Sequence, residues 1–319
     1  MARAARYCMA PPGVSGAARA IACASGSLGA TGLPGYNYAH AWRVQRLLVI
    51  VIARSDMLDP PLTHPLRETH EMVAATLKQG FGRGLVKFGR RIRKPLDRVL
   101  TRYSRVGNPP VFERGTFAWA DELEANWQAI RDEALAVMAN DANTPPLREL
   151  SPDHRGIARD NHWRCFFIWG YGKRVARNAD LCPQTTRAVE RIPGLLSAFY
   201  SIHTPGTLVP EHRGVSKTIV NCHLPLDVPA GAEQCGIEID GRTHGWTEGE
   251  TLIFDDTYRH SAWNHTQCPR VILLVQFQRP LKFPGSLLGG AFLGLLRRSP
   301  FVRDVHEALE QEQHGADRS

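Results

Sequence analysis

The apolar positions change their period along the chain. Over 119–138 they fall at 119, 123, 127, 130, 134 and 138, the spacing of one helical face. Asp121, Glu122 and Glu124 stand near the start of that stretch, where a helix dipole favours acidic groups. A shorter helix is predicted over 185–192, before Pro193. From Ser197 to Gln278 the texture becomes short runs rich in Val, Ile, Phe, Tyr and Thr, separated by turn residues. Strands are predicted at 198–203, 218–224, 236–240, 251–254, 259–263 and 271–277. Asp240-Gly241 between two such runs is a hairpin signal, since both residues tolerate positive φ. Beyond Pro284 the pattern turns helical, apolar over 287–296, with a last amphipathic helix from Pro300. The expectation is a mainly β domain with flanking helices, and strands so spaced suggest a sandwich or barrel such as the double-sheet jelly roll.

Residues 1–56 show neither period and are rich in Ala, Gly and Arg, which reads as a disordered leader that translation from Met57 would omit. Its apolar run, 47–53, is far short of the ~20 residues that span a bilayer. The remaining boundaries follow from texture: a basic amphipathic segment at 57–110, a jelly-roll domain with N-terminal helices at 111–282, and a helical tail at 283–319. With 43% hydrophobic and 22% charged residues over 319 positions, collagenous and disordered classes are excluded.

The net charge of +8 is local. Nine basic residues from Arg83 to Arg105 face only Asp97 over 80–106, and the rest of the chain balances, so nucleic acid is not an expected partner. The same stretch interleaves Phe81, Leu85, Phe88, Ile92 and Leu96, which suits either an anionic membrane surface or a solvated linker. The tail segment 287–296, ending in Arg297-Arg298, suits either a headgroup layer or the outside of the barrel. Seven cysteines without a CxxC pair argue against a disulfide framework and a structural zinc site. The expected location is cytoplasmic, peripheral on the inner face of the membrane.

Two of the thirteen histidines stand out by context. His212 follows Val209-Pro210-Glu211 and precedes Arg213-Gly214, and His260 ends Asp255-Asp256-Thr257-Tyr258-Arg259-His260, each where a strand meets a turn. Two imidazoles from separate strands suit a facial metal site with open positions, as oxygen-activating non-haem iron requires. The plain alternative is a pair of ordinary core or surface histidines.

The runs Tyr200-Ser201-Ile202-His203-Thr204-Pro205-Gly206-Thr207, Pro210-Glu211-His212-Arg213-Gly214 and His223-Leu224 resemble the aspartyl/asparaginyl β-hydroxylase family of iron(II)- and 2-oxoglutarate-dependent dioxygenases. So do Trp246-Thr247-Glu248-Gly249-Glu250 and Phe254 to Asn264. The resemblance is nearest to the bacterial lipid A 2-hydroxylase branch and extends upstream through Asn126 to Leu135 and Leu181 to Thr185, over roughly 111–281. It implies a double-stranded β-helix (cupin-like) core, with Fe(II) as metal and 2-oxoglutarate and O2 as co-substrates. His212 and His260 match the iron ligands, and Arg270 matches the arginine that takes the distal carboxylate of 2-oxoglutarate. Ser201 matches a hydroxyl assisting Arg270, and His223 a histidine at the co-substrate's metal-proximal end. Gly214 stands where most such enzymes carry an acidic ligand, as it does in the animal peptide hydroxylases of the family. Asn221 stands where an arginine is frequent, and strand alternation puts Lys217 on the same face to supply charge. Glu211 alternates away and receives no role. The implied substrates are an Asp or Asn side chain of a peptide or an acyl chain of lipid A. A non-catalytic jelly-roll binding module attached to the membrane is the competing reading.

Overall fold

The computed structural model describes residues 95–229 and 231–316. The leader and most of the basic segment read from the sequence lie outside these residues. After a helical segment at 95–102, helices α1 (Ala120–Ala125), α2 (Trp127–Met138) and α3 (Leu147–Leu150) follow, then β1 (Trp163–Gly170), β2 (Lys173–Arg174), α4 (Ala176–Leu181) and α5 (Pro183–Glu190). The strands β3 (Leu195–His203), β4 (Leu208–His212), β5 (Ile219–Asp227), β6 (Cys235–Ile239) and β7 (Arg242–His244) follow. The chain continues through β8 (Leu252–Phe254), β9 (His260–Asn264) and β10 (Arg270–Gln278) into α6 (Gly285–Arg297) and α7 (Pro300–Ala316).

Two antiparallel sheets result, one ordered β2-β1-β3-β10-β5-β8 and the other β4-β9-β6-β7. From β3 onward the chain crosses between them, apart from the β6–β7 hairpin at Asp240-Gly241, where both residues take positive φ. That winding is the double-stranded β-helix, or jelly roll. Strand β10 shows why the sheets face each other. Ile272 and Leu274 point inward to Phe199, Val209, Ile237, Ile239 and Ala262. Val271, Leu273, Val275 and Phe277 point outward to Ile130, Ala134 and Val137 of α2 and Val189 of α5.

Three differences from the sequence expectation have local causes. The helix expected over 119–138 is two helices, because Asn126 leaves helical geometry (φ −105°, ψ 7°) and its side-chain amide donates to Glu122 O at 2.8 Å. Strand β1 was not expected, since a strand buried on both faces shows no alternation. Strand β4 was hidden by Pro210, which is tolerated because β4 is an edge strand. Cys182, Cys222 and Cys235 are buried free thiols, and Cys165 is buried as well.

Candidate active site

Strands β4 and β9 pair in a register that sets His212 opposite His260, with ring centroids 4.1 Å apart. Each ring is oriented by the backbone two residues before it: His212 Nδ1 donates to Pro210 O (2.8 Å) and His260 Nδ1 to Tyr258 O (3.0 Å). A carbonyl only accepts, so both Nδ1 atoms carry the proton and both Nε2 atoms keep a lone pair. Burial pushes both rings below the usual histidine range, His260 to about 4 with a further contribution from His212. Both are therefore neutral near pH 7, the form in which an imidazole ligates a metal.

No carboxylate completes the pair on its own strand, because position 214 is glycine. Its place is taken: a Cβ built on Gly214 would collide with the Asp256 carboxylate, and Gly214 N donates to Asp256 O at 2.7 Å. Among the described residues no group of three or more His, Cys, Asp or Glu could hold a metal, so a metal at this site would rest on the two imidazoles alone.

Arg270 opens β10 opposite His203 and is 1% exposed. Its guanidinium lies over the Trp246 ring at 4.8 Å, and Nε has no hydrogen-bond partner. Burial lowers it to about 9, so it remains cationic at neutral pH. His203 Nδ1, His223 Nδ1 and Trp246 Nε1 are also buried without partners. A buried cation among unpaired polar atoms is costly unless something anionic engages it. Ring contacts join this end of the barrel to the histidine pair: His223 is 6.1 Å from Trp246 and 4.9 Å from Phe254, and Phe254 is 5.7 Å from His260.

The structure thus brings His212, His260, His223 and Arg270 together along the barrel interior. Ser201 is buried nearby, but its hydroxyl accepts from Trp163 Nε1 at 3.0 Å, and Trp163 in turn packs edge-on against His203. His203 and Trp246 were missed. Period-2 alternation from Ser201 would have pointed to His203, whereas Trp246 lies outside the strands and gave no such signal. Lys217 does not supply charge to this pocket. Its Nζ donates to Asp255 Oδ2 at 2.7 Å and sits 4.2 Å from the Tyr258 ring centroid, and it precedes β5, where alternation does not apply. Glu211 forms an exposed ion pair with Arg259.

Several buried or half-buried histidines bear on stability. Burial, with a smaller effect of His212, pushes His154 to about 4; burial, then Arg270, holds His203 and His223 well below the usual range. In the unfolded chain they titrate near 6.5. The folded state therefore binds fewer protons, so stability is complete above about pH 6.5 and is lost as pH falls towards 4. Urea denaturation of the metal-free protein should show the unfolding free energy falling by at least about 1.4 kcal/mol per pH unit in that window, the signature of one proton taken up.

Residues 124–280 match the family model described as aspartyl/asparaginyl beta-hydroxylase. The chain is 39% identical over 214 residues to the ornithine lipid ester-linked acyl 2-hydroxylase of Rhizobium tropici, covering 66% of this chain and 76% of that protein. It is 32% identical over 173 residues to the Homo sapiens aspartyl/asparaginyl beta-hydroxylase, covering 53% of this chain and 22% of that protein. Among solved structures, a Pseudomonas putida prolyl-4-hydroxylase matches 51% of this chain and 98% of its own, at 17% identity and a TM-score of 0.31.

Proposed function

Because this chain belongs to the aspartyl/asparaginyl β-hydroxylase family, we propose that it hydroxylates a C–H bond using Fe(II), 2-oxoglutarate and O2. The observation that carries this reading is the neutral His212–His260 pair, joined through His223 and aromatic rings to the buried, unpaired Arg270. Such a pocket suits a divalent metal at one end and a dicarboxylate reaching to the other. Fe(II) and 2-oxoglutarate, when bound, would supply the oxidising power, with one atom of O2 ending in succinate, the other in the substrate, and CO2 released.

The chain's own residues hold and orient. His212 and His260 would ligate the metal through Nε2, their rings fixed by Pro210 O and Tyr258 O. Arg270, stacked on Trp246, would take the distal carboxylate with its planar fork, and His223 would stand between the two ends. Phe254 and Trp246 line the same path and exclude water there. We propose an acyl chain of a membrane lipid as the substrate, because identity to the acyl 2-hydroxylase is higher and reaches further along this chain than identity to the human enzyme. A peptide Asp or Asn is the second reading, supported by glycine at position 214.

Incubating the iron-loaded full chain with 2-oxoglutarate and either a bacterial lipid extract or candidate peptides tests both. A mass gain of one oxygen on an acyl chain, with stoichiometric succinate, is the expected result. Hydroxylated peptide with untouched lipid would favour the second reading, and no succinate under any condition would leave a binding module.

Arg270→Ala should raise the 2-oxoglutarate requirement about ten- to hundredfold, because a charge-assisted contact contributes roughly 1.5–3 kcal/mol. Calorimetric titration of 2-oxoglutarate reads this directly. Unchanged affinity would make Arg270 a structural residue.

A further inference from the structure

Helix α6 and the helical segment 95–102 lie side by side at one end of the jelly roll. Leu100 is fully buried, and a Cβ at Gly289 would meet Leu281 Cδ1 at 2.9 Å, Thr218 Cγ2 at 3.3 Å and Leu100 Cδ2 at 3.9 Å. A Cβ at Gly285 would meet the Tyr103 side chain, and Lys282 N donates to Tyr103 O at 2.7 Å. Thr218 belongs to the loop that leaves β4 directly after His212, and Val215 in that loop is 57% exposed. This end of the barrel is therefore the one at which the chain leaves the histidine pair.

Gly285, Gly289 and Leu293, four residues apart, form the inward ridge of α6, with Leu293 against Leu196 and Ile219. The outward ridge has the same spacing: Leu287 is 65% exposed and Leu295 71%, with exposed Ala291 between them and Leu288 beside them at 42%, and Phe283, 77% exposed, stands just before the helix. No charged residue occurs from Phe283 to Leu296. Cations bracket the ridge instead. Lys282, Arg297 and Arg298 are exposed at its ends, and Arg98, Arg102 and Arg105 are exposed on the neighbouring segment beside Val99. Asp97, the one acidic residue in these two stretches, turns inward to accept from Lys217 N at 3.0 Å.

We propose that this ridge and its six cations dock the protein on an anionic phospholipid surface, with α6 lying in the headgroup plane. A contiguous exposed apolar ridge marks an interaction site, and an apolar face rimmed by Lys and Arg matches the chemistry of an anionic interface. No helix among the described residues is long and apolar enough to cross a membrane, so the contact is parallel to the surface. A second copy fits poorly, since face-to-face pairing would bring six cations against six. Nucleic acid fits poorly as well, since the ridge between the cations offers nothing polar to a phosphate. The inference rests on the lipid-substrate reading for its purpose, as docking brings the barrel end at His212 to membrane-borne acyl chains. The binding itself requires neither iron nor 2-oxoglutarate.

The test is sedimentation of the metal-free full chain with phosphatidylcholine vesicles, with and without phosphatidylglycerol, at low and high salt. The protein is expected to pellet with the anionic vesicles at low salt and to be released by high salt. Leu287→Glu with Leu295→Glu, both at exposed positions, is expected to cut that binding at least about tenfold while the thermal midpoint stays unchanged. Leu287→Phe with Leu295→Phe should retain it. Protein that stays in the supernatant overturns the proposal, as does a Glu variant that binds like the wild type, since binding would then lie elsewhere in the chain. A ridge-dependent dimer in solution overturns it too. Vesicle binding by a chain that makes no succinate would retain the docking surface and remove the hydroxylase reading.

Discussion

Replacing both imidazoles, His212→Ala with His260→Ala, is expected to reduce iron-dependent succinate formation to background. The loss follows from what the pocket lacks. Position 214 carries no side chain and the Asp256 carboxylate fills the space where one would begin, so no third ligand on β4 takes over. Each single replacement should weaken metal binding by at least about ten- to hundredfold, the range already seen when groups one layer further out are removed. Anaerobic titration with Mn(II), followed by calorimetry, separates metal loss from a failure of chemistry. The variant should stay folded, because the hydrogen bonds that orient the two rings run to nearby backbone carbonyls, Pro210 O and Tyr258 O, and tie no other element in place. Undiminished Mn(II) affinity in the folded double variant would falsify the metal assignment.

How much of this was legible beforehand differs from element to element, for physical reasons. Runs such as 271–277 announced themselves because β-branched and aromatic residues cluster between turn residues. Strand β1 did not, because both its faces are covered and its stretch from Cys165 to Trp169 shows no polar alternation. The two histidines were visible as motif members, yet their pairing depends on the β4–β9 register, which no local pattern encodes. Arg270 was likewise visible through family resemblance, whereas its lack of a counter-ion emerges only when burial is known. Lys217 shows the opposite failure. Counting alternate residues back from His223 carried the strand's parity past Ile219, where β5 begins, and assigned to the pocket a charge that the fold uses elsewhere. Glycine at 214 reads as a missing ligand, but no local pattern signals that a carboxylate from the β8–β9 loop fills its place.

The use the fold makes of Lys217 sets up the largest stability effect expected here. Asp255 is fully buried and accepts from Lys217 Nζ (2.7 Å) and Arg279 Nη2 (2.5 Å), while its other oxygen takes Thr257 N (3.0 Å) and Thr257 Oγ1 (2.6 Å). Arg279, 1% exposed, also donates to Lys217 O at 2.6 Å and to Gly107 O at 3.2 Å. One carboxylate thus anchors the loop that leads into His260, the strand end after β10 and the segment before β5. Asp255→Ala would leave two buried cations facing each other, a change expected to cost about 3–5 kcal/mol. For a domain of this size that corresponds to a thermal midpoint lower by roughly 6–20 °C. Lys217→Met supplies the contrast: it removes the surplus cation and leaves a neutral Asp255–Arg279 pair in place, so its loss should be much smaller. Differential scanning calorimetry of the two variants beside the wild type decides the point. Equal losses would mean that packing around Tyr258 and Phe112, rather than uncompensated charge, holds the loop behind His260.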